Sequence, residues 1–170
     1  MSGHRNAAFD SNVLPFLDAA FDFARHLTRD PVAAEELTQA AFAKAFETFH
    51  QFRPGTSARA WLFTIVRNLH LNSERSRRRH LLVALEDHDE AQTPAEEPVV
   101  DATPVLDRAI ARLPVNLREA VVLDLQGLSC KEIGAVMSCP AGTVMSRLHR
   151  ARQLLRGMLE AGGISRGGQG

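Results

Sequence analysis

The sequence has no tyrosine, a single tryptophan and only two cysteines among its 170 residues. Two cysteines are too few for the disulfide framework of a small secreted protein, and they fit a reducing compartment. No apolar run approaches the roughly 18 residues that a membrane-spanning helix needs. The first dozen residues also lack the apolar stretch of a secretion signal. We therefore expect a cytoplasmic protein without membrane insertion.

Motifs for catalysis and metal binding are missing as well. The seven histidines are scattered, and the chain contains no HExxH pair, no phosphate-binding P-loop and no GxSxG turn. Cys130, Cys139 and His149 have a spacing that matches no usual zinc pattern. The sequence therefore predicts that the protein is not an enzyme and that it uses no metal, cofactor or small-molecule substrate.

The net charge of zero conceals three segments of different sign. Residues 1–80 carry 11 Lys/Arg and 8 Asp/Glu, residues 81–107 carry 8 Asp/Glu and no Lys/Arg, and residues 108–170 carry 9 Lys/Arg and 4 Asp/Glu. Basic blocks suit polyanionic partners, although solvated surfaces joined by a solvated tether would show the same pattern. Residues 86–104, with three prolines and seven acids, predict a disordered or extended linker.

The basic block before this linker has the pattern of helices. Asp30-Pro31 predicts a helix start, with Asp as the N-cap and Pro in the first helical position. Val32 to Phe49 contains no Gly or Pro, and residues 53–56 then turn the chain. A second helix is expected from about Ser57 to Arg79. Because no strand pattern of any length occurs, the sequence predicts an all-α fold.

The last block contains a helix-turn-helix pattern. Ser129 and Glu132 form a capping box, which predicts a short helix with Ile133, Val136 and Met137 on its apolar side. Residues 138–140 predict the turn, and a second helix is expected to run to about Leu159. Two helices joined by so short a turn are typical of a helix-turn-helix.

The second of these helices is predicted to have two faces. At about 100° per residue, a narrow apolar stripe is formed by Val144, Leu148, Ala151 and Leu155. The opposite face carries Ser146, His149, Arg150 and Gln153, with Met145 at its border. Arg147 and Arg152 flank the stripe. Such a helix is suited to the DNA major groove, although a solvated basic helix in an all-α domain would show the same pattern.

Residues 128–152 resemble the region 4 helix-turn-helix of the extracytoplasmic-function (ECF) sigma factors, group 4 of the sigma-70 family, and residues 113–120 resemble the first helices of that region. The resemblance implies that the second helix reads the promoter −35 element. Its implied DNA-binding residues are Thr143, Met145, Ser146, Arg147, His149, Arg150 and Arg152. Met145 stands where the family usually has Lys or Arg.

The first block resembles sigma region 2. Residues 28–42 are similar to regions 2.1–2.2, which in the family dock on the polymerase β′ clamp, and the implied contacts are Glu35, Glu36, Leu37, Gln39 and Phe42. Residues 52–68 are similar to regions 2.3–2.4, which open the −10 element and hold an unpaired base. The implied −10 residues are Phe52, Arg53, Gly55, Ser57, Arg59, Trp61, Arg67, Asn68, Arg75 and Arg78. Arginines beside aromatic rings suit single-stranded DNA, whereas Trp61 also fits a purely structural place in the core.

The resemblance implies a four-part chain. Its parts are region 2 at residues 10–82, an acidic linker at 83–104, region 4 at 105–160 and a disordered tail at 161–170. The implied partners are core RNA polymerase, through its β′ clamp and β flap, promoter DNA and an anti-sigma factor. The implied function is an alternative sigma factor for stress-responsive transcription, associated with the nucleoid when bound to polymerase. Two alternatives are a decoy that sequesters an anti-sigma factor, which would not need the arginines, and a helix-turn-helix activator, which would not need the polymerase-docking block.

Overall fold

The computed structural model describes residues 2–87 and 105–162, and within these ranges the regular elements are all helical. The chain divides into two compact units, Met1–Val99 and Val100–Gly170. The prediction of an all-α fold with two small helical domains is thus confirmed. Most of the predicted linker, residues 88–104, and most of the predicted tail, residues 163–170, lie outside the described residues. None of the helices in the described ranges has the length and apolar character to cross a bilayer.

The first unit is a bundle of helices. Its helices are α1 (Ser2–Asn12), α2 (Leu17–Thr28), α3 (Pro31–Thr48) and α4 (Ala58–Asp87). Helices α2, α3 and α4 pack against one another. Phe23 of α2 and Phe63 of α4 are both fully buried, and their ring centroids lie 5.3 Å apart. This pair marks the centre of the core.

Helix α3 begins as its sequence predicts and packs through a stripe of small residues. The Asp30 side chain accepts a hydrogen bond from the Val32 backbone N–H at 3.0 Å. The buried positions of α3 recur every three to four residues, at Ala34, Thr38, Ala41 and Ala45. Such spacing places them on one face, and their small size allows neighbouring helices to approach closely.

Helix α4 is longer than the sequence analysis predicts. It continues through Asp87, beyond the expected end at Arg79 and into the expected linker. Residues 80–87 contain no Gly or Pro, so backbone hydrogen bonding continues past the arginine cluster. Among the described side chains of α4, none beyond Val66 is buried. The C-terminal part of α4 is therefore a solvated extension that carries Arg75 to Arg79.

The second unit is built around its last helix. Its helices are α5 (Val105–Ala111), α6 (Val115–Leu125), α7 (Cys130–Met137) and α8 (Ala141–Ala161). Helices α5, α6 and α7 each pack against α8. Ile110, Leu123, Ile133 and Val144, one from each helix, are fully buried. Helix α8 ends two residues after the predicted Leu159 and so takes in the first residue of the predicted tail.

Candidate nucleic-acid interface

A reciprocal cap fixes the start of α7. The Ser129 hydroxyl accepts a hydrogen bond from the Glu132 backbone N–H at 3.2 Å, and the Glu132 carboxylate accepts one from the Ser129 backbone N–H at 2.7 Å. Both bonds satisfy donors that have no partner within the helix. The predicted capping box is therefore present, and it sets where the helix-turn-helix begins.

The turn between α7 and α8 requires one glycine and one left-handed residue. Ser138 closes α7 with φ 55° and ψ 45°, and the next N–H, that of Cys139, donates to the Gly134 carbonyl at 2.9 Å. A Cβ atom built on Gly134 would lie 2.6 Å from the Cys139 carbonyl oxygen. The two helices can meet at this short turn only because position 134 has no side chain.

Helix α8 has the two faces that its sequence predicts. Its buried residues are Val144, Leu148, Ala151 and Leu155. The opposite face is exposed to solvent and consists of Met145, Ser146, His149, Arg150 and Gln153. Within the second unit, the cap, the turn and the buried stripe hold this face outward. Thr143, the first member of the predicted −35 set, is half-buried in the first turn of α8.

The arginines of α8 have different surroundings. Arg147 is half-buried and donates to the Cys139 sulfur at 3.6 Å. Arg152 is exposed and lies 3.3 Å from the Asp124 carboxylate of α6. Arg150 makes no hydrogen bond or ion pair with any residue that the structure describes. Its guanidinium therefore offers a donor fork, which matches a guanine edge or a phosphate.

In the first unit, the predicted −10 residues begin at a tight loop between α3 and α4. The loop turns at Arg53, whose carbonyl accepts from both the backbone N–H and the hydroxyl of Thr56. Gly55 has φ 88°, a conformation that side chains disfavour. Ser57 caps α4, because its hydroxyl accepts from the Ala60 backbone N–H at 3.1 Å. The Arg53 side chain is exposed at the outside of this loop.

Aromatic rings adjoin this loop. Phe52 stacks on Phe49 with centroids 5.7 Å apart and 13° between the ring planes, and it lies 5.3 Å from Trp61. All three rings are half-buried. Trp61 therefore takes part in the packing and still keeps an exposed portion of its ring.

The basic residues predicted for the −10 element follow along α4. Arg59 and Arg67 are half-buried, and both have contacts within the protein. Asn68, Arg75 and Arg78 are exposed. The set thus runs from the loop, where the aromatic rings lie, onto the solvated extension of α4, and its members from Asn68 onward are exposed.

The predicted polymerase-docking residues lie between Glu35 and Phe42 in α3. Glu35, Glu36 and Gln39 are exposed, whereas Leu37 and Phe42 are half-buried. The Gln39 side-chain amide donates to the Glu35 carboxylate at 3.5 Å. Phe42 differs from the rest, because its ring contacts Phe9 of α1, with centroids 6.4 Å apart. The acidic and amide side chains are therefore the members of the set that a partner reaches most directly.

Sequence analysis missed helix α1. Its Phe9 is almost fully buried and contacts the rings of Phe42, Phe46 and Phe49 edge-on. The Arg5 guanidinium donates to the backbone carbonyls of Phe46 and Glu47 at the end of α3. Helix α1 is therefore packed against α3 as part of the first unit.

Within the described ranges, no group of three or more His, Cys, Asp or Glu side chains is placed to hold a metal ion. Cys130 and Cys139 are free thiols, both half-buried. The predicted −10 and −35 residues instead offer arginines, hydroxyls, amides and aromatic rings, which are suited to binding and orienting a polyanion.

Comparisons with known proteins agree with this arrangement. Residues 13–80 match the family described as Sigma-70 region 2, and residues 105–155 match Sigma-70, region 4. The chain is 38% identical over 161 residues to the ECF RNA polymerase sigma factor SigE of Mycolicibacterium smegmatis, covering 89% of this chain and 62% of SigE. It is 34% identical over 145 residues to the ECF RNA polymerase sigma factor EcfG of Rhodopseudomonas palustris, covering 83% of this chain and 79% of EcfG.

A solved structure is similar over nearly the whole chain. The sigma factor RpoE of Bartonella quintana, in a crystal with the anti-sigma factor NepR, is 30% identical with a TM-score of 0.74, covering 94% of this chain and 99% of RpoE. The two matched regions coincide with the bundle and the helix-turn-helix unit described above. The chain belongs to the sigma-70 family and, within it, to the extracytoplasmic-function RNA polymerase sigma factors.

Proposed function

We propose that this chain is an alternative sigma factor that carries core RNA polymerase to specific promoters and starts transcription there. The first unit binds the polymerase clamp through α3 and opens the −10 element at the loop before α4. The second unit reads the −35 element with the exposed face of α8. Polymerase carries out the chemistry, and the sigma factor supplies binding and DNA opening.

The observation that carries this proposal is the presence of both surfaces in one chain. A helix-turn-helix whose Arg150 has no partner among the described residues is sufficient for a DNA-binding activator, but an activator does not need a bundle that matches sigma region 2. A decoy for an anti-sigma factor does not need the exposed arginines at positions 75, 78 and 150. A promoter-specificity subunit needs both surfaces.

Binding by each unit alone is expected to be weak. Each DNA-binding surface is small, so it contributes few of the phosphate contacts that dominate protein–DNA affinity. Core polymerase raises the effective concentration of each unit at its own promoter element by holding both units on one platform. Residues 81–107 carry no Lys or Arg and eight Asp or Glu, and this charge suits a basic polymerase channel.

The proposed partners also include an inhibitor. The related RpoE of Bartonella quintana is held by the anti-sigma factor NepR, and we extend this type of control to the present chain. Release from such a protein would couple transcription to a stress signal. The proposed site of action is the cytoplasm, at the nucleoid when polymerase is bound, because promoter DNA and core polymerase are found there.

A three-way binding experiment distinguishes these functions. The full chain is titrated against sigma-free core polymerase alone, against duplex genomic DNA fragments alone and against both together, with fluorescence anisotropy as the measurement. A sigma factor binds core tightly, binds DNA alone weakly and forms a salt-sensitive ternary complex. Specific DNA binding without core would favour the activator, and core binding that never captures DNA would favour the decoy.

A further inference from the structure

The N-terminal segment, residues 2–17, contacts residues that flank the −10 loop, residues 52–57, at both of its ends. One contact runs through the rings of the first unit to Phe52, and the other reaches Arg59. The loop residues are assigned to binding of the −10 element, whereas the N-terminal segment has no assigned role. Its contacts go to residues on which the proposed opening of DNA depends.

Phe9 supports the start of the loop. Its ring is 6% exposed and meets the edge of Phe49 at a centroid distance of 5.4 Å. Phe49 in turn stacks on Phe52, which contacts Trp61 at 5.3 Å. Aromatic pairs have preferred geometries, so each ring in this series restricts the orientation of the next.

Arg5 fixes α1 to the helix from which the loop departs. Its guanidinium donates to the Glu47 carbonyl at 3.2 Å and to the Phe46 carbonyl, and it lies 5.1 Å from the centre of the Phe46 ring. These carbonyls belong to the last turn of α3, where the Phe46 carbonyl also accepts from the Phe49 backbone N–H. These contacts hold α1 where the Phe9 ring meets Phe49.

Phe16 supports the end of the loop. The Arg59 guanidinium carbon lies 4.9 Å from the centre of the Phe16 ring, within the range of a cation–π contact. Arg59 is in the first turn of α4, directly after the loop. Val13, which precedes Phe16 by one helical turn, is fully buried and anchors the segment at this point.

We propose that the N-terminal segment is a positioning element for capture of the −10 strand. Phe9 acts through Phe49 and Phe52, and Phe16 acts through Arg59. The proposal rests on the function proposed above. A loop already held in its binding geometry loses less conformational freedom when it binds single-stranded DNA. Preorganisation of the loop therefore raises its affinity for that strand. Affinity for core polymerase, which we assign to the exposed side chains of Glu35, Glu36 and Gln39 on α3, is not expected to change.

The test uses full-length protein bound to core polymerase. The probe is a fluorescein-labelled single-stranded oligonucleotide copying the non-template −10 strand of a promoter mapped by run-off transcription. The variants are Phe9→Leu and Phe16→Leu. Leu14→Ala, at a 46% exposed position in the same segment, is the control. Affinity for core and thermal unfolding are measured on every variant.

We expect both Leu variants to bind the oligonucleotide about two- to tenfold more weakly, which corresponds to the loss of one aromatic or cation–π contact. Core affinity stays at the wild-type value, and Phe16→Tyr, which keeps the ring, restores oligonucleotide binding. Unchanged oligonucleotide affinity in the Leu variants overturns the proposal. An equal loss of core and oligonucleotide binding also overturns it, because it reveals a merely structural role. If wild-type holoenzyme itself fails to bind the oligonucleotide, the assigned −10 function is wrong.

Discussion

The Arg152 guanidinium lies 3.3 Å from the Asp124 carboxylate and so links α8 to α6. Arg150, two residues earlier, has no such contact with a residue that the structure describes. Two arginines on one helix therefore differ in how freely their guanidinium groups can bind another molecule. Arg152 is held at the side of the helix, and Arg150 extends from its exposed face.

The first prediction separates base reading from phosphate binding. Arg150→Ala should cost about 1–3 kcal/mol at one promoter position and relax the preference there, because a bidentate contact to a base edge is lost. The measurement is transcription by reconstituted holoenzyme from a set of promoters mutated singly through the −35 element.

Arg152→Ala is the matched variant for this experiment. It should weaken binding to all DNA sequences about equally, because a phosphate contact carries no sequence information. The slope of the logarithm of the binding constant against the logarithm of the salt concentration should become less steep by about one. If Arg150→Ala also weakens all sequences equally, Arg150 contacts the backbone and the assigned −35 face is wrong.

The second prediction concerns the close approach at Gly134. Gly134→Ala should destabilise the second unit by about 1–3 kcal/mol, because the new methyl group would collide with the Cys139 carbonyl at 2.6 Å. Thermal unfolding followed by circular dichroism measures the change. Gly157→Ala is the control, since no described atom beyond the adjoining helix backbone lies within 4 Å of the added carbon, and it should gain up to about 1 kcal/mol. A neutral Gly134→Ala would mean that the turn relaxes freely.

The third prediction concerns the left-handed residue at the end of α7. Ser138 has φ 55°, a conformation that costs most residues about 1–2 kcal/mol and costs glycine little. Ser138→Gly should therefore stabilise the protein by about 0.5–1 kcal/mol, and Ser138→Val should destabilise it. Denaturant titration of the two variants gives the free energies of unfolding. Equal stability of all three proteins would contradict the assigned strain.

The fourth prediction tests the polymerase-docking face. Glu36→Ala should weaken binding to core polymerase by about 1 kcal/mol, roughly fivefold in Kd, through loss of one exposed charge contact. Glu47→Ala is the control on the same helix, where the carboxylate pairs with Lys44 at 3.3 Å. Equal effects of the two variants would show that overall charge, and not this face of α3, controls docking.

Local patterns predicted the helix-turn-helix well. The capping box, the turn and the apolar stripe of α8 all depend on residues close together in the sequence, and all are present in the structure. The same holds for Asp30 at the start of α3. In each case one side chain satisfies a backbone group a few residues away, so spacing alone identifies it.

Long-range packing explains what the sequence did not reveal. The place of α1 depends on Phe9 meeting Phe42, Phe46 and Phe49, which are more than 30 residues away in the chain. The end of α4 was misplaced because the arginine cluster resembled a helix terminus, whereas the apolar residues after it continue the helix. The residue assignments for −10, −35 and polymerase binding stay predictions, which the experiments above test.

Run-off transcription tests the central claim most directly. The full chain is added to sigma-free core polymerase and fragmented DNA from its own genome, and the 5′ ends of the transcripts are mapped. The account predicts discrete transcripts that depend on the protein and share sequences near positions −10 and −35. Core binding without any discrete transcript would contradict the account.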